Sequence, residues 1–187
     1  MNGKNKIRLR FAHVSEIVGS DDLAILVLTD MERENQLTIV CDKAMAVQLE
    51  LRDKQIPIRD IMLPEVMGRV ITQWGGLDLE MLIYNLNDGQ YQTVVVNRLT
   101  QEMMPVRASD AVLLHVAAGL PLFIDESLMA RQSVRYVAKA QGVAIPVNSL
   151  SDDMLDSALQ KAISEENYEL ASQIRDEKLK RKQKPSV

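Results

Sequence analysis

Arg107-Ala108-Ser109-Asp110 opens an apolar run, and its residue types suit a phosphate ester. A guanidinium such as that of Arg107 can clamp a phosphate through two parallel N–H donors. Asp110 and Glu65 are carboxylates in the first turns of predicted helices, where they could hold a divalent metal such as Mg²⁺ or Mn²⁺. The same residues admit purely structural duties. Ser109 can cap a helix, Asp110 can complement the positive end of its dipole, and Arg107 can pair with Asp110 to fix the loop. The other chemistry-bearing side chains lack partners in sequence. His115 falls on a strongly apolar helix, which suits a hydrogen-bonded core residue, and His13 follows the first strand. Nothing near Cys41 would activate its thiol. The ten methionines suit adaptable core filler better than a metal site.

These groups need elements to position them. Ile7, Leu9 and Phe11 alternate with Arg8 and Arg10, as in a half-buried strand. Leu23–Leu28 and Leu37–Cys41 are apolar runs of strand length, joined by a charged loop over Asp30–Asn35. Asp42 is placed to cap a helix carrying Ala44, Met45, Val47, Leu49 and Leu51. Pro57-Ile58-Arg59 breaks it, and a second helix starts near Pro64. Val66, Met67, Val70, Ile71 and Trp74 give that helix one apolar face, and Gly75-Gly76 ends it. Leu79–Leu86 and Tyr91–Val96 flank the hairpin turn Asn87-Asp88-Gly89. A short strand over Met103–Val106 precedes the helix 110–118, which is apolar nearly all round and so expected to be buried. Leu122–Ile124 is a last strand before a helical Glu126–Arg131. Hairpins dominate, so the expected class is α+β with a mixed, largely hairpin-built sheet and packed helices.

The chain of 187 residues, 47% of them hydrophobic, has room for one such domain and a small appendage. Aromatic residues make up only 4%, so stacking platforms for single strands are few. The net charge of −4 speaks against a uniformly basic nucleic-acid binder. Cations nevertheless cluster at Lys4, Lys6, Arg8 and Arg10, and at Lys178, Lys180, Arg181, Lys182 and Lys184. Each could meet a phosphate, or could serve only a helix dipole and a soluble tail. A single cysteine leaves no disulfide framework, and no apolar run approaches the ~20 residues of a membrane helix. With a polar, charged opening, a soluble cytoplasmic protein is expected, with no membrane partner. There is no Gly-x-x-x-x-Gly-Lys-Ser/Thr loop, no Cys-x-x-Cys pair and no Gly-x-Ser-x-Gly elbow.

The C-terminal forty residues have a separate pattern. Leu155, Ala158, Leu159, Ala162 and Ile163 recur at helical spacing, Glu165–Asn167 break it, and Tyr168, Ala171, Ile174 and Leu179 resume it. That is a two-helix hairpin, too small to be stable by itself. Its residues Glu165 to Glu177 resemble the UVR motif, the hairpin through which the UvrB and UvrC repair proteins meet. The resemblance implies partner binding by Tyr168, Ala171, Ile174, Arg175 and Asp176. The partner would be a second copy or another UVR-containing protein, engaged through residues 151–182.

Upstream, Arg107 to Leu114 with Gly119-Leu120-Pro121-Leu122-Phe123-Ile124 resembles the bifunctional nuclease family, small α+β proteins acting on DNA and RNA. Some bacterial members carry a C-terminal UVR hairpin. The resemblance implies a nuclease domain over 1–137, a linker over 138–150 and the hairpin with its basic tail over 151–187. It also implies a phosphodiesterase site at Arg107, Ser109, Asp110 and Glu65, with a metal on Asp110 and Glu65. This chain departs from the family pattern at several positions. Asp42 stands where the family has Gly, and Met45-Ala46 replaces Glu-Ala. Asp60 to Glu65 replaces an Arg-Pro-Leu-Thr-His-Asp run, of which only the Glu65 carboxylate is comparable, and Ala108 replaces Pro. The alternative is therefore a nuclease fold that has lost its chemistry and works as an adaptor through its hairpin.

Overall fold

A computed structural model describes residues 5–17, 22–137 and 145–183. Lys4, Lys184 and the stretch 138–144 of the expected linker lie outside the described residues. The apolar runs form β1 (Lys6–Glu16), β2 (Leu23–Asp30), β3 (Asn35–Asp42), β4 (Leu79–Asn87), β5 (Gln90–Asn97), β6 (Met103–Arg107), β7 (Leu122–Asp125) and β8 (Val134–Arg135). They join one sheet in the order β6-β5-β4-β7-β1-β2-β3-β8. The β1–β2, β2–β3, β1–β7, β3–β8 and β5–β6 pairs are antiparallel, and β4–β7 is parallel. The α+β expectation holds, with a mixed sheet.

Local chemistry sets the turns. The Asp30 carboxylate accepts from the backbone N–H groups of Glu34 and Asn35 and closes the β2–β3 loop. Asp88 and Gly89 both have positive φ, 48° and 78°, the condition for a tight hairpin turn that matches strand twist. An extra residue, Ala12, bulges β1 between the pairs Phe11–Leu28 and His13–Val27. Leu9, Met81, Ile83, Leu122 and Ile124 point to one face and are fully buried. Burying each such side chain contributes about 1.5–3 kcal/mol. In β2 both faces are buried, which is why its sequence is apolar without alternation.

The helices are α1 (Lys43–Asp53), α2 (Leu63–Arg69), α3 (Ala108–Ala118), α4 (Glu126–Gln132), α5 (Asp152–Ser164) and α6 (Tyr168–Gln183). Asp42 caps α1 by accepting from Met45 N–H at 2.7 Å. Pro57–Ile61 forms a single 3-10 turn, and α2 runs on through a π turn over Val70–Trp74. Gly119, at φ 69°, ends α3 by donating to the His115 carbonyl. Three sequence expectations shift. Ser109 is not the cap of α3: the helix begins at Ala108 after Arg107, which makes no side-chain cap bond, and Ser109 is buried in the first turn. Full burial of α3 extends only through its first half, since Leu113 to Ala118 are half-exposed. Val134–Arg135 adds a two-residue strand on β3, too short to leave a period in the sequence.

The chain divides into two compact units, Met1–Asn85 with Tyr91–Ala144, and Leu86–Gln90 with Ile145–Val187. In the second, α5 and α6 pack as a hairpin, with Leu155, Ala162, Ala171 and Ile174 buried. Ser151 caps α5 and Asn167 caps α6. Part of the basic tail is consumed here. Arg181 is nearly fully buried and donates to Asp152, Glu177 and the carbonyls of Asn148 and Leu150. Lys178 pairs with Asp156.

Candidate functional site

Arg107 ends β6 and Asp110 lies in the first turn of α3, so only Ala108 and Ser109 stand between them. Their side chains meet end-on: Nε donates to Oδ2 at 2.7 Å and Nη2 to Oδ1 at 3.1 Å. The pair is open to solvent, with 68% of the Arg107 side chain and 34% of Asp110 exposed. Hydrogen bonding to Asp110 and its charge, with a smaller contribution from Asp42, push the Arg107 pKa up. The guanidinium is therefore a fixed cation at the protein surface. Arg107 sits opposite Gln92 in the β5–β6 ladder, and Gln92 accepts from the Asn85 side chain on β4. Asn85, Gln92 and Arg107 thus make a polar row across three strands, ending at the start of α3.

Glu65 is held elsewhere. Its Oε2 accepts from Arg52 Nη2 at 2.7 Å, and the side chains are only 12% and 2% exposed. Arg52 also donates to the Gln48 carbonyl and side chain. Arg52 belongs to the last turn of α1, whereas Asp42, whose charge reaches Arg107, caps its first turn. No hydrogen bond or ion pair among the described residues joins Glu65 to Arg107 or Asp110. Ser109, between Arg107 and Asp110 in sequence, is a largely buried residue, 8% exposed.

The donor set bears on a metal. Both Asp110 oxygens are taken by Arg107, and Glu65 is neutralised by Arg52. Among the described residues no three His, Cys, Asp or Glu side chains gather where they could hold an ion. As arranged, the carboxylates do not fit a shared divalent metal. His115 is half-buried, and its Nδ1 lies 2.8 Å from the Leu120 carbonyl. A carbonyl can only accept, so Nδ1 carries the proton. Burial lowers the His115 pKa, outweighing that hydrogen bond, and Arg8 adds to the lowering. Cys41 is buried and its thiol is pushed up to about 12, chiefly by burial and then by Asp42, which makes it inert.

Residues 26–136 match the model of the bifunctional nuclease domain. The chain belongs to the bifunctional nuclease domain family. Residues 155–180 match the UvrB/UvrC motif. No curated protein matches the chain. The family region covers both ion pairs, and the UVR region covers most of α5 and of α6. Within the hairpin, Ala171 and Ile174 are spent on the α5–α6 contact, while Tyr168, Arg175 and Asp176 are exposed. No helix among the described residues is long and apolar enough to cross a membrane.

Sequence reasoning missed Arg52, Asn85 and Gln92. For Arg52 a signal existed: Met45, Leu49 and Arg52 fall at i, i+4 and i+7, and the first two are buried core. An arginine on that stripe has to find a buried acid. Asn85 and Gln92 are brought to Arg107 by strand register, which single-sequence periodicity does not reveal.

Proposed function

We propose that this member of the bifunctional nuclease family cleaves phosphodiester bonds of DNA and RNA at the Arg107–Asp110 end of the sheet, and that its UVR hairpin recruits a partner. The observation that carries the reading is the exposed, pre-oriented Arg107 within the family-matched region. Two of its N–H donors are fixed by Asp110, and the rest of an exposed guanidinium can face a phosphate. Asn85 and Gln92 extend hydrogen-bonding groups along the same row, suited to the sugar-phosphate backbone rather than to bases, which fits a substrate range spanning DNA and RNA. In cleavage, Arg107 would stabilise the charge developing on the phosphoryl oxygens. Each Asp110 oxygen keeps a lone pair beside its bond to Arg107, so Asp110 could accept a proton from the attacking water as the water oxygen bonds to phosphorus, the P–O bond to the leaving sugar oxygen breaks and that oxygen takes a proton from solvent. Glu65, paired to Arg52, holds α2 against α1 and has no step in this scheme. No step runs through Mg²⁺ or Mn²⁺, because an ion on Asp110 would have to displace Arg107.

The hairpin would act through its exposed Tyr168, Arg175 and Asp176, towards a second copy or another UVR-containing protein. A second reading, an adaptor that keeps the fold without the chemistry, is favoured by the neutralised carboxylates and by Met45 standing where the family has Glu. Cleavage of labelled single-stranded DNA and RNA, with Mg²⁺, Mn²⁺ or EDTA, separates the two. Cleavage lost in Arg107→Gln supports the nuclease, and intact substrate under every condition supports the adaptor.

A further inference from the structure

The turn between β4 and β5 belongs with the C-terminal helices. Leu86–Gln90 falls in the second compact unit, together with Ile145–Val187. Within that unit Gly89 lies against the backbone of Leu150. A Cβ on Gly89 would stand 2.2 Å from the Leu150 carbonyl oxygen and 3.0 Å from the Ser151 nitrogen. A left-handed turn position alone would accept an asparagine, but this approach accepts no side chain at all. The same Leu150 carbonyl accepts from Arg181 Nη2 at 2.8 Å. Arg181 also donates to the Asn148 carbonyl, to Asp152 and to Glu177, and its side chain is only 7% exposed. All three of its nitrogens are met, as burial of a guanidinium demands. Leu150 is thus clasped between the β4–β5 turn on one side and the last turns of α6 on the other.

We infer, on the reading that Arg107 meets the substrate, that this clasp lets the UVR hairpin regulate the Arg107 site. Asn85 and Gln92 stand two residues inward from the turn, one on each strand, and hydrogen-bond to each other. Holding the turn therefore holds two members of the polar row that ends at Arg107. An open cleft of about 380 Å³ adjoins the clasp, and its walls include Asn148, Asp176 and Glu177. Asn148 and Glu177 both accept from Arg181, and Asp176 is exposed. Lys180 also lines the cleft, which leaves its carboxylates in excess. A partner that places a cationic side chain there meets Asp176 and competes with Arg181 for Glu177. Arg181 then loses an acceptor, its hold on Leu150 weakens, and the turn with Asn85 and Gln92 gains freedom. The closed clasp is the state that binds substrate well, and the engaged hairpin is the state that binds it poorly. The partner needs no contact with the substrate site, only a different affinity for the two states of the clasp.

The test compares the full chain with Gly89→Ala, Arg181→Met and Lys182→Gln. The last removes the same charge as Arg181→Met from an exposed neighbour. Three quantities are read: amide hydrogen exchange, the dissociation constant of a labelled single-stranded oligonucleotide by anisotropy in EDTA, and its cleavage rate at saturation. In Gly89→Ala and Arg181→Met, residues 84–93 should exchange about 10-fold or more faster, as when a net hydrogen bond is lost. Exchange in β1, β2 and β3 should stay as in wild type, which shows the domain still folded. Both variants should bind the oligonucleotide about 5-fold or more weakly, with the saturated rate within about twofold of wild type. Lys182→Gln should match wild type in all three. Arg181→Met is the decisive arm, because it leaves the sequence of the turn untouched. Exchange at 84–93 indifferent to Arg181→Met would overturn the clasp. Faster exchange with unchanged binding would overturn the regulation, as would a weakening no larger than that in Lys182→Gln. A wild type that binds the oligonucleotide without cleaving it would overturn the nuclease reading alone, and one that does not bind would overturn both.

Discussion

Arg52–Glu65 and Arg107–Asp110 are the same chemical pair in two surroundings. The first joins the end of α1 to the start of α2 in the interior. The second joins the end of β6 to the start of α3 at the surface. Buried, an arginine and a carboxylate are committed to each other, because neither can lose its partner without stranding a charge. Exposed, the same pair is weak, and the arginine can be shared with an incoming anion at little loss. On this contrast the proposed function rests: it gives Glu65 a structural part and Arg107 the catalytic one.

The largest expected effect lies on the buried side. Arg52→Met should destabilise the fold by about 3–5 kcal/mol, because Glu65 then sits in the interior without a partner. Urea titration measures this, and the double variant Arg52→Met/Glu65→Met should recover most of the loss. If the single variant costs no more than a surface substitution, the pair is not the internal tie described. Next comes Gly68→Ala on the inner side of α2, expected to cost about 1–3 kcal/mol by forcing α2 from α3. Adding Ala118→Gly should restore part of it, since the Ala118 Cβ is the nearest obstacle.

A smaller effect is set by pH. His115 has a lowered pKa in the folded chain, so the unfolded chain binds more protons in the window below the ordinary histidine value of about 6.5. Its contribution is fully present above that value and is lost as pH falls through the folded pKa. Melting temperatures at neutral pH and near pH 5 should therefore fall less steeply for His115→Gln than for wild type. Smallest of all in stability is Arg107→Gln, expected to change it by about 0–1 kcal/mol.

The elements were largely legible in the sequence because their signals are local. The strand runs, the Asp42 cap, the Asp88-Gly89 turn and the Gly119 stop each declare themselves within a few residues. The Arg107–Asp110 contact was legible too, as neighbours one turn apart. What was not legible depends on long-range placement. Nothing near Glu65 in sequence indicates that Arg52 will take it, or that α2 will turn Gly68 inward and its apolar stripe outward. The Asn85–Gln92–Arg107 row exists only once β4, β5 and β6 are in register. The C-terminal cations look alike in sequence, yet Arg181 is drawn inside by the carbonyls of Asn148 and Leu150.

The most direct test is cleavage of labelled single-stranded DNA and RNA by wild type, Arg107→Gln and Glu65→Gln, each assayed well below its melting temperature. If the exposed pair is the site, wild type cleaves both substrates and Arg107→Gln loses about 100-fold or more in rate, as when one charge-stabilising donor is removed. Glu65→Gln should keep its rate and lose stability only. Loss of cleavage in Glu65→Gln with full activity in Arg107→Gln would contradict the assignment and place the chemistry at the buried pair.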